Sequence, residues 1–198
     1  VKHVSSHLKD NRDKAYKFLK LGLIVKVVAW ILVLILGNLL APIIATSLFN
    51  KPELVTPLRL VFLGVGAALL FSFATAALQA FQKFFSWSVI NIITNFLRLG
   101  VIFLLIIFGQ VNLFNSLTIY VVLPFFGFFL ASLLLPTFSY LNAKNQFSVT
   151  KQFFSYNLWI AAFISIAAIS ARLDTFISGR LLDAYTLGIY GVATQLSA

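Results

Sequence analysis

Long runs without a charged residue dominate the pattern of hydrophobic and polar positions along the chain. Residues 27–50, 60–82 and 152–171 contain no charge, and residues 84–143 contain Arg98 alone. Since a helix rises 1.5 Å per residue, about 20 apolar residues cross the ~30 Å hydrocarbon core of a bilayer. Stretches such as WILVLIL lack the alternation that is typical of membrane β-strands. The pattern therefore predicts an all-α integral membrane protein with a multi-helix transmembrane bundle.

The boundaries of the runs predict five full transmembrane helices and the start of a sixth. The polar segment GQVNLFNS (residues 109–116) divides the longest run into two helices. The predicted spans are 24–48, 58–81, 86–108, 117–138 and 153–178, with the sixth helix beginning near Ala184. Pro42 removes a backbone donor and is expected to kink the first span, and Pro124 and Pro136 are expected to bend the fourth.

The distribution of charge predicts an orientation in the membrane. The chain has 15 Lys and Arg against 5 Asp and Glu, and the basic residues lie mostly between apolar runs. Residues 1–20, with Lys83, Lys144 and Lys151, place nine positive charges on one side, which is predicted to be cytoplasmic. This pattern favours membrane orientation over a nucleic-acid partner. Residues 2–20 are interpreted either as an amphipathic helix on anionic lipid or as a solvated connector.

The composition leaves little material for an active site. The chain is 61% hydrophobic and has no Cys, which excludes disulfides and Cys-based chemistry. His3 and His7 lack a third ligand, so no metal site is predicted. Paired carboxylates, a nucleophile beside a base and a glycine-rich phosphate loop are all missing from the sequence. We therefore expect neither an enzyme nor a cofactor.

Polar residues inside the spans are candidates for function because they are costly in lipid. Ser88, Asn91, Asn95 and Arg98 lie along one face of the third span. They either line a water-filled cavity, with Arg98 meeting an anionic substrate, or they connect helices, with Arg98 in a structural pair. Lys26 in the first span is interpreted as reaching back to the lipid headgroups.

Two further charges interrupt the fifth span. Arg172 and Asp174 are two residues apart, about 200° around a helix, so they do not face each other unless the helix unwinds. They mark either the external surface of the membrane or a buried site. If Asp174 is buried, desolvation would raise the pKa of its carboxyl and make it a protonation switch.

Three segments resemble the polysaccharide and O-antigen flippases of the multidrug/oligosaccharidyl-lipid/polysaccharide exporter superfamily. LDTFISGRLLDAYTLGIYGVATQLS (173–197) is similar to the family in its Asp174, Gly179 and Gly-x-Tyr-x-x-Ala pattern at Gly188, Tyr190 and Ala193. APIIATSLFNKPELVTPLRL resembles an external turn of the family, and ALQAFQKFFSWSVINIITNFLRLG resembles a cytoplasmic turn. The order and spacing of these segments from Leu21 to Ala198 carry the resemblance.

The resemblance implies that the chain is a fragment holding helices three to seven of a larger transporter and the start of helix eight. Residues 1–20 would be a basic cytoplasmic segment, 21–141 part of the N-terminal lobe, 142–156 an inter-lobe linker and 157–198 the start of the C-terminal lobe. The missing helices of the full-length transporter would then be its partners. The external boundary of the fifth helix would move to residues 179–183.

The resemblance also implies alternating access in the cytoplasmic (inner) membrane. A lipid-linked oligosaccharide would enter a cationic cavity between the lobes. Arg98 and Arg172 are the candidate contacts for its phosphate, because guanidinium groups pair well with phosphate. Asn91 and Asn95 are the further candidates for lining the cavity. Asp174 would either tune Arg172 or couple transport to protons or sodium ions.

Three alternatives remain open at this point. A cation-coupled multidrug exporter of the same superfamily would need carboxylates in its cavity, and Asp174 is the one carboxylate within the predicted spans. A membrane glycan polymerase or ligase would need a large external loop, whereas the predicted external loops are short. The chain could also be a truncated product without activity.

Overall fold

The computed structural model describes residues 2–8, 11–143, 147–171 and 173–196. These residues form helices and no strand, which confirms the predicted all-α membrane bundle. The helices are α1 (Lys2–His7), α2 (Arg12–Ile43), α3 (Val55–Ala80), α4 (Phe84–Ile107), α5 (Leu113–Leu133), α6 (Thr137–Leu141), α7 (Phe147–Ser170), α8 (Leu173–Leu181) and α9 (Ala184–Leu196).

Five helical segments within the described residues are long and apolar enough to cross a membrane. They are Arg12–Leu48, Pro52–Ala80, Phe84–Ile107, Leu113–Leu133 and Val149–Leu181. The number agrees with the five spans predicted from the sequence. α9 begins at Ala184, which is where the sixth helix was expected.

The first spanning helix, α2, begins at Arg12, well before its charge-free run starts at residue 27. The Asn11 side chain caps it by accepting a hydrogen bond from the Lys14 backbone N–H at 3.0 Å, and Lys17 pairs with Asp13 at 2.7 Å one turn on. Phe18 is 2% exposed and packs in a core with residues of α3, α5 and α6. Ala15, Phe18 and Leu19 of this segment therefore lie inside the protein.

α3 lies between α2 and α5, and α4 packs mainly on α5. Small residues make the close approach of α3 to its neighbours possible. Gly66 of α3 faces the indole ring of Trp30 on α2, and Gly127 of α5 faces the Phe71 ring of α3. The outer faces of these helices expose large apolar side chains, as expected of surfaces in contact with lipid.

The prolines have different effects from one another. α2 changes to a π-helical turn, Ile44–Leu48, directly after Pro42, and the Thr46 hydroxyl donates to the Pro42 carbonyl at 2.8 Å. Pro124 lies buried inside α5. The prediction that Pro136 bends the same helix is wrong, because α5 ends at Leu133 and Pro136 immediately precedes α6.

The predicted fifth span, 153–178, lies within the segment Val149–Leu181, which is long and apolar enough to cross a membrane. Its described parts are α7 and α8, and residue 172 between them lies outside the described residues. Asp183 then caps α9 by accepting from the backbone N–H groups of Tyr185 (3.2 Å) and Thr186 (3.4 Å). The Thr186 side chain and these backbone donors hold the pKa of Asp183 below its usual value.

Lysine side chains tie the ends of helices to distant segments. Lys20 donates to the Ala143 carbonyl at 2.8 Å, and Lys83 donates to the Leu134 carbonyl at 2.7 Å. We call this end of the bundle the basic end. At the opposite end, Lys51 donates to the Leu182 carbonyl at 3.2 Å and lies 3.5 Å from the Gly179 carbonyl oxygen. Ammonium groups at the C-terminal ends of helices offset carbonyls that have no partner within the helix.

Candidate functional site

A groove of about 410 Å³ lies between α2, α3 and α7, close to the basic end. Most of its lining is apolar, including Phe18, Phe73 and Ile164. The polar side chains among its lining residues are Lys26, Ser72 and Asn157, one from each helix. The groove therefore has the character of a ligand site, an apolar surface with a few convergent polar groups.

Lys26 is the charged side chain among the described residues that line this groove. It lies five residues into the apolar segment that starts at Leu21, or roughly 7–8 Å along the helix. Its ammonium donates to the Ser72 hydroxyl of α3 at 3.2 Å, and the side chain is half-buried. The sequence-based interpretation, in which Lys26 reaches back to the headgroups, differs from this arrangement, since the ammonium is bound to a neighbouring helix.

Asn157 supplies the polar group of α7. Its side-chain amide donates to the Phe153 carbonyl at 2.8 Å, one turn earlier in the same helix. The amide oxygen remains as an acceptor at the groove wall. Sequence reasoning missed Ser72 and Asn157, because an isolated serine or asparagine in an apolar run has no signal of its own. Only the convergence of three helices brings them to Lys26.

The polar stripe of α4 lies apart from this groove, whose described lining includes no residue of α4. The Arg98 guanidinium carbon lies 5.0 Å from the centroid of the Tyr120 ring on α5, a cation–π distance. The Arg98 Nε atom is buried and has no hydrogen-bond partner within the described part of the chain. Arg98 is thus paired with an aromatic face and keeps one buried donor unused.

The two asparagines of the stripe have different surroundings. Asn91 is partly buried and donates to the Trp87 carbonyl at 2.8 Å, within its own helix. Asn95 is exposed. Between them Thr94 is 1% exposed, faces Gly127 of α5 and donates to the Ile90 carbonyl at 2.8 Å. Thr94 is therefore the most deeply packed polar residue of this helix face.

Asp174 lies at the start of α8 and joins it to α9. The Tyr190 hydroxyl donates to one carboxylate oxygen of Asp174 at 2.7 Å, and the side chain of Asp174 is exposed. Both residues belong to the segment that resembled the flippases. Arg172 lies outside the described residues, so its predicted contact with an anion stays a prediction.

Comparison with known proteins identifies the family. A sequence model of the family described as polysaccharide biosynthesis protein matches residues 4–198. The chain belongs to this family. No curated protein and no solved structure gives a significant match. The resemblance seen in the sequence is thereby confirmed at the level of the family.

The groups in this groove are chemically suited to an anion beside an apolar chain. Lys26 supplies a positive charge, and Ser72 and Asn157 supply groups that hydrogen-bond to phosphate or sugar oxygens. A charged side chain at this depth in a membrane is costly unless it is paired. Pairing with the Lys26 ammonium would therefore favour the binding of an anionic ligand. The described residues include no cluster of His, Asp or Glu that could hold a metal ion.

The contact between Arg98 and Tyr120 can be tested by substitution. Tyr120→Leu is expected to destabilise the protein by about 0.5–1 kcal/mol, because the π-face under the guanidinium is lost. Tyr120→Phe keeps the ring and should melt close to wild type. The measurement is thermal unfolding in detergent, with Arg98→Gln completing a double-mutant cycle. Strict additivity of Arg98→Gln and Tyr120→Leu would show that the two side chains do not interact.

Proposed function

We propose that the protein translocates a lipid-linked saccharide intermediate of polysaccharide synthesis across the cytoplasmic membrane. Membership of the polysaccharide biosynthesis family and the spanning helices support this proposal. The observation that carries it is the half-buried Lys26, held on Ser72 in the apolar groove between α2, α3 and α7. A carrier lipid joins a saccharide to an apolar chain through phosphate, and the groove offers a surface for each part.

Translocation moves such a molecule without making or breaking a covalent bond. The protein then needs binding groups and two arrangements of its helices, rather than a nucleophile or a general base. The proposed roles are an ammonium for phosphate at Lys26 and hydrogen bonds for sugar hydroxyls at Ser72 and Asn157. Arg98, Asn91, Asn95, Arg172 and Asp174 remain proposed contacts along the path, and a proton or sodium ion remains the proposed coupling ion.

The contacts of the segment from α7 to α8 suggest how two arrangements could arise. At the basic end Val149 and Phe153 pack in the core that contains Phe18. At the opposite end, Lys51 and Phe49 contact the region of Gly179. Residues 158–170 of α7, between these contacts, are exposed along their whole length. We propose that α7 and α8 move relative to α2 and α3 between two arrangements. In each arrangement one of the two end contacts is kept and the other is released.

The direct test is transport in proteoliposomes. The purified protein is reconstituted with a prenyl-pyrophosphate-linked saccharide, and a membrane-impermeant glycosidase is added outside. We expect the accessible fraction to rise beyond the amount already in the outer leaflet, because the protein delivers saccharide from the inner leaflet. Protein-free liposomes are the control for spontaneous exchange.

The same vesicles separate the alternatives. If they move an organic cation such as ethidium and leave the saccharide in place, the protein is a drug exporter. If the saccharide chain grows in length, it is a polymerase. A glycosidase-accessible fraction equal to that of the protein-free control contradicts the proposed translocation.

A further inference from the structure

A second cavity, of about 460 Å³, lies at the basic end and is separate from the groove of Lys26. It is formed where the start of α2, the turn between α3 and α4, and the segment after α5 meet. Its lining contains two cations, an aromatic hydroxyl and apolar side chains: Arg12, Lys83, Tyr16, Leu8, Phe81, Leu134 and Pro136. Among the described residues the lining includes no carboxylate, so the two charged side chains that the structure places at this cavity are both positive.

The depth of this cavity can be judged from its neighbours. Lys83 is followed directly by Phe84 and Phe85, whose side chains are 58% and 83% exposed. Large apolar residues exposed at the end of a spanning helix face lipid rather than water. Arg12 is the first residue of α2 and lies nine residues before the apolar segment that starts at Leu21. The cavity therefore spans the level of the lipid headgroups.

Backbone N–H groups add to the positive electrostatic potential of the cavity. Lys83 is the N-cap residue of α4, and no side chain caps the first turn of that helix. The N–H groups of such a turn carry the positive end of the helix dipole. The Lys83 ammonium itself is held on the Leu134 carbonyl at 2.7 Å, which fixes its position at the cavity wall. Arg12 is exposed and can present two parallel donors to a phosphate.

We infer that this cavity binds the phosphate of an anionic phospholipid in the leaflet at the basic end. Arg12 and Lys83 contact the headgroup, and the acyl chains lie along the exposed rings of Phe84 and Phe85. The bound lipid joins the beginning of α2 to the α3–α4 turn and to the end of α5. This site is independent of translocation, because it shares no lining residue with the groove of Lys26.

Native mass spectrometry of the protein released from detergent micelles tests the site. The probes are phosphatidylglycerol, which is anionic, and phosphatidylcholine, which carries a phosphate but no net charge. We expect preferential retention of phosphatidylglycerol. Arg12→Gln should weaken it about fivefold, the factor for a ~1 kcal/mol contribution of one cation near a membrane surface. Arg12→Lys should restore most of it.

Lys14→Gln is the matched control, since it removes one positive charge from the same turn of α2 and Lys14 does not line the cavity. Equal retention by Arg12→Gln and Lys14→Gln would overturn the site in favour of a diffuse basic surface. Equal retention of the two lipids by wild type would overturn it as well. Displacement of phosphatidylglycerol by millimolar inorganic phosphate would show that the cavity takes a free anion, which contradicts a lipid site.

Discussion

Replacing Gly66 by alanine is expected to destabilise the bundle by about 1–3 kcal/mol, the usual cost of overpacking a close-packed core. A Cβ atom built at Gly66 overlaps the Trp30 indole. The ring has little room to move, because it packs edge-on against Phe125 with centroids 5.9 Å apart. The interface between α2 and α3 must therefore open, and thermal unfolding in detergent should show a lowered midpoint.

Gly100→Ala is the matched control for this substitution. It makes the same chemical change inside another spanning helix, and a Cβ atom at Gly100 meets nothing within 4 Å. We expect a midpoint equal to or above that of wild type, since alanine is favoured over glycine in a helix by ~1 kcal/mol. If both variants melt at the same temperature, close packing at Gly66 does not stabilise the bundle.

Lys26→Gln is expected to reduce the rate of saccharide translocation by about 10- to 100-fold. Hydrogen bonds to charged groups contribute ~1.5–3 kcal/mol, and each 1.4 kcal/mol corresponds to a factor of ten. Glutamine keeps a donor for Ser72 but removes the charge that a phosphate would meet. The measurement is the proteoliposome assay with the prenyl-pyrophosphate-linked saccharide, and thermal unfolding checks that the fold is retained.

Two variants show whether the charge of Lys26 or its packing matters. Lys26→Arg keeps the charge and is expected to retain part of the rate, because a guanidinium is larger and planar. Ser72→Ala removes the hydrogen-bond partner and keeps the ammonium, so its rate should stay within a few-fold of wild type. A Lys26→Gln protein that folds and transports at the wild-type rate would exclude Lys26 from substrate binding.

The number of spans followed from the sequence because the thickness of a bilayer sets the length of a charge-free run. The ends of the helices did not follow in the same way. α2 extends to Arg12 because Asn11 caps it and Phe18 is buried by α3 and its neighbours, and neither effect depends on the membrane.

The candidate site was less predictable than the fold. Arg98 stood out because a charge in the middle of a span is rare, but its neighbour Tyr120 belongs to another helix and depends on how α4 packs on α5. Asp174 stood out as the one carboxylate within the predicted spans, and its partner Tyr190 lies in the next helix. The division into lobes and the linker at 142–156 stay predictions, as do the roles of Asn91 and Asn95. Tertiary contact, rather than residue type, decides which polar groups share a site.

The lysine contacts at the helix ends have a consequence for how this family can be compared across species. Lys20, Lys51 and Lys83 all donate to main-chain carbonyls, at Ala143, Leu182 and Leu134 among others. Every residue has a main-chain carbonyl, whatever its side chain. The residue types at the partner positions can therefore change while the hydrogen bond persists. Correlated substitutions between each lysine and its partner position are therefore not expected in related sequences. Three connections between distant segments would be invisible to methods that infer proximity from correlated substitution.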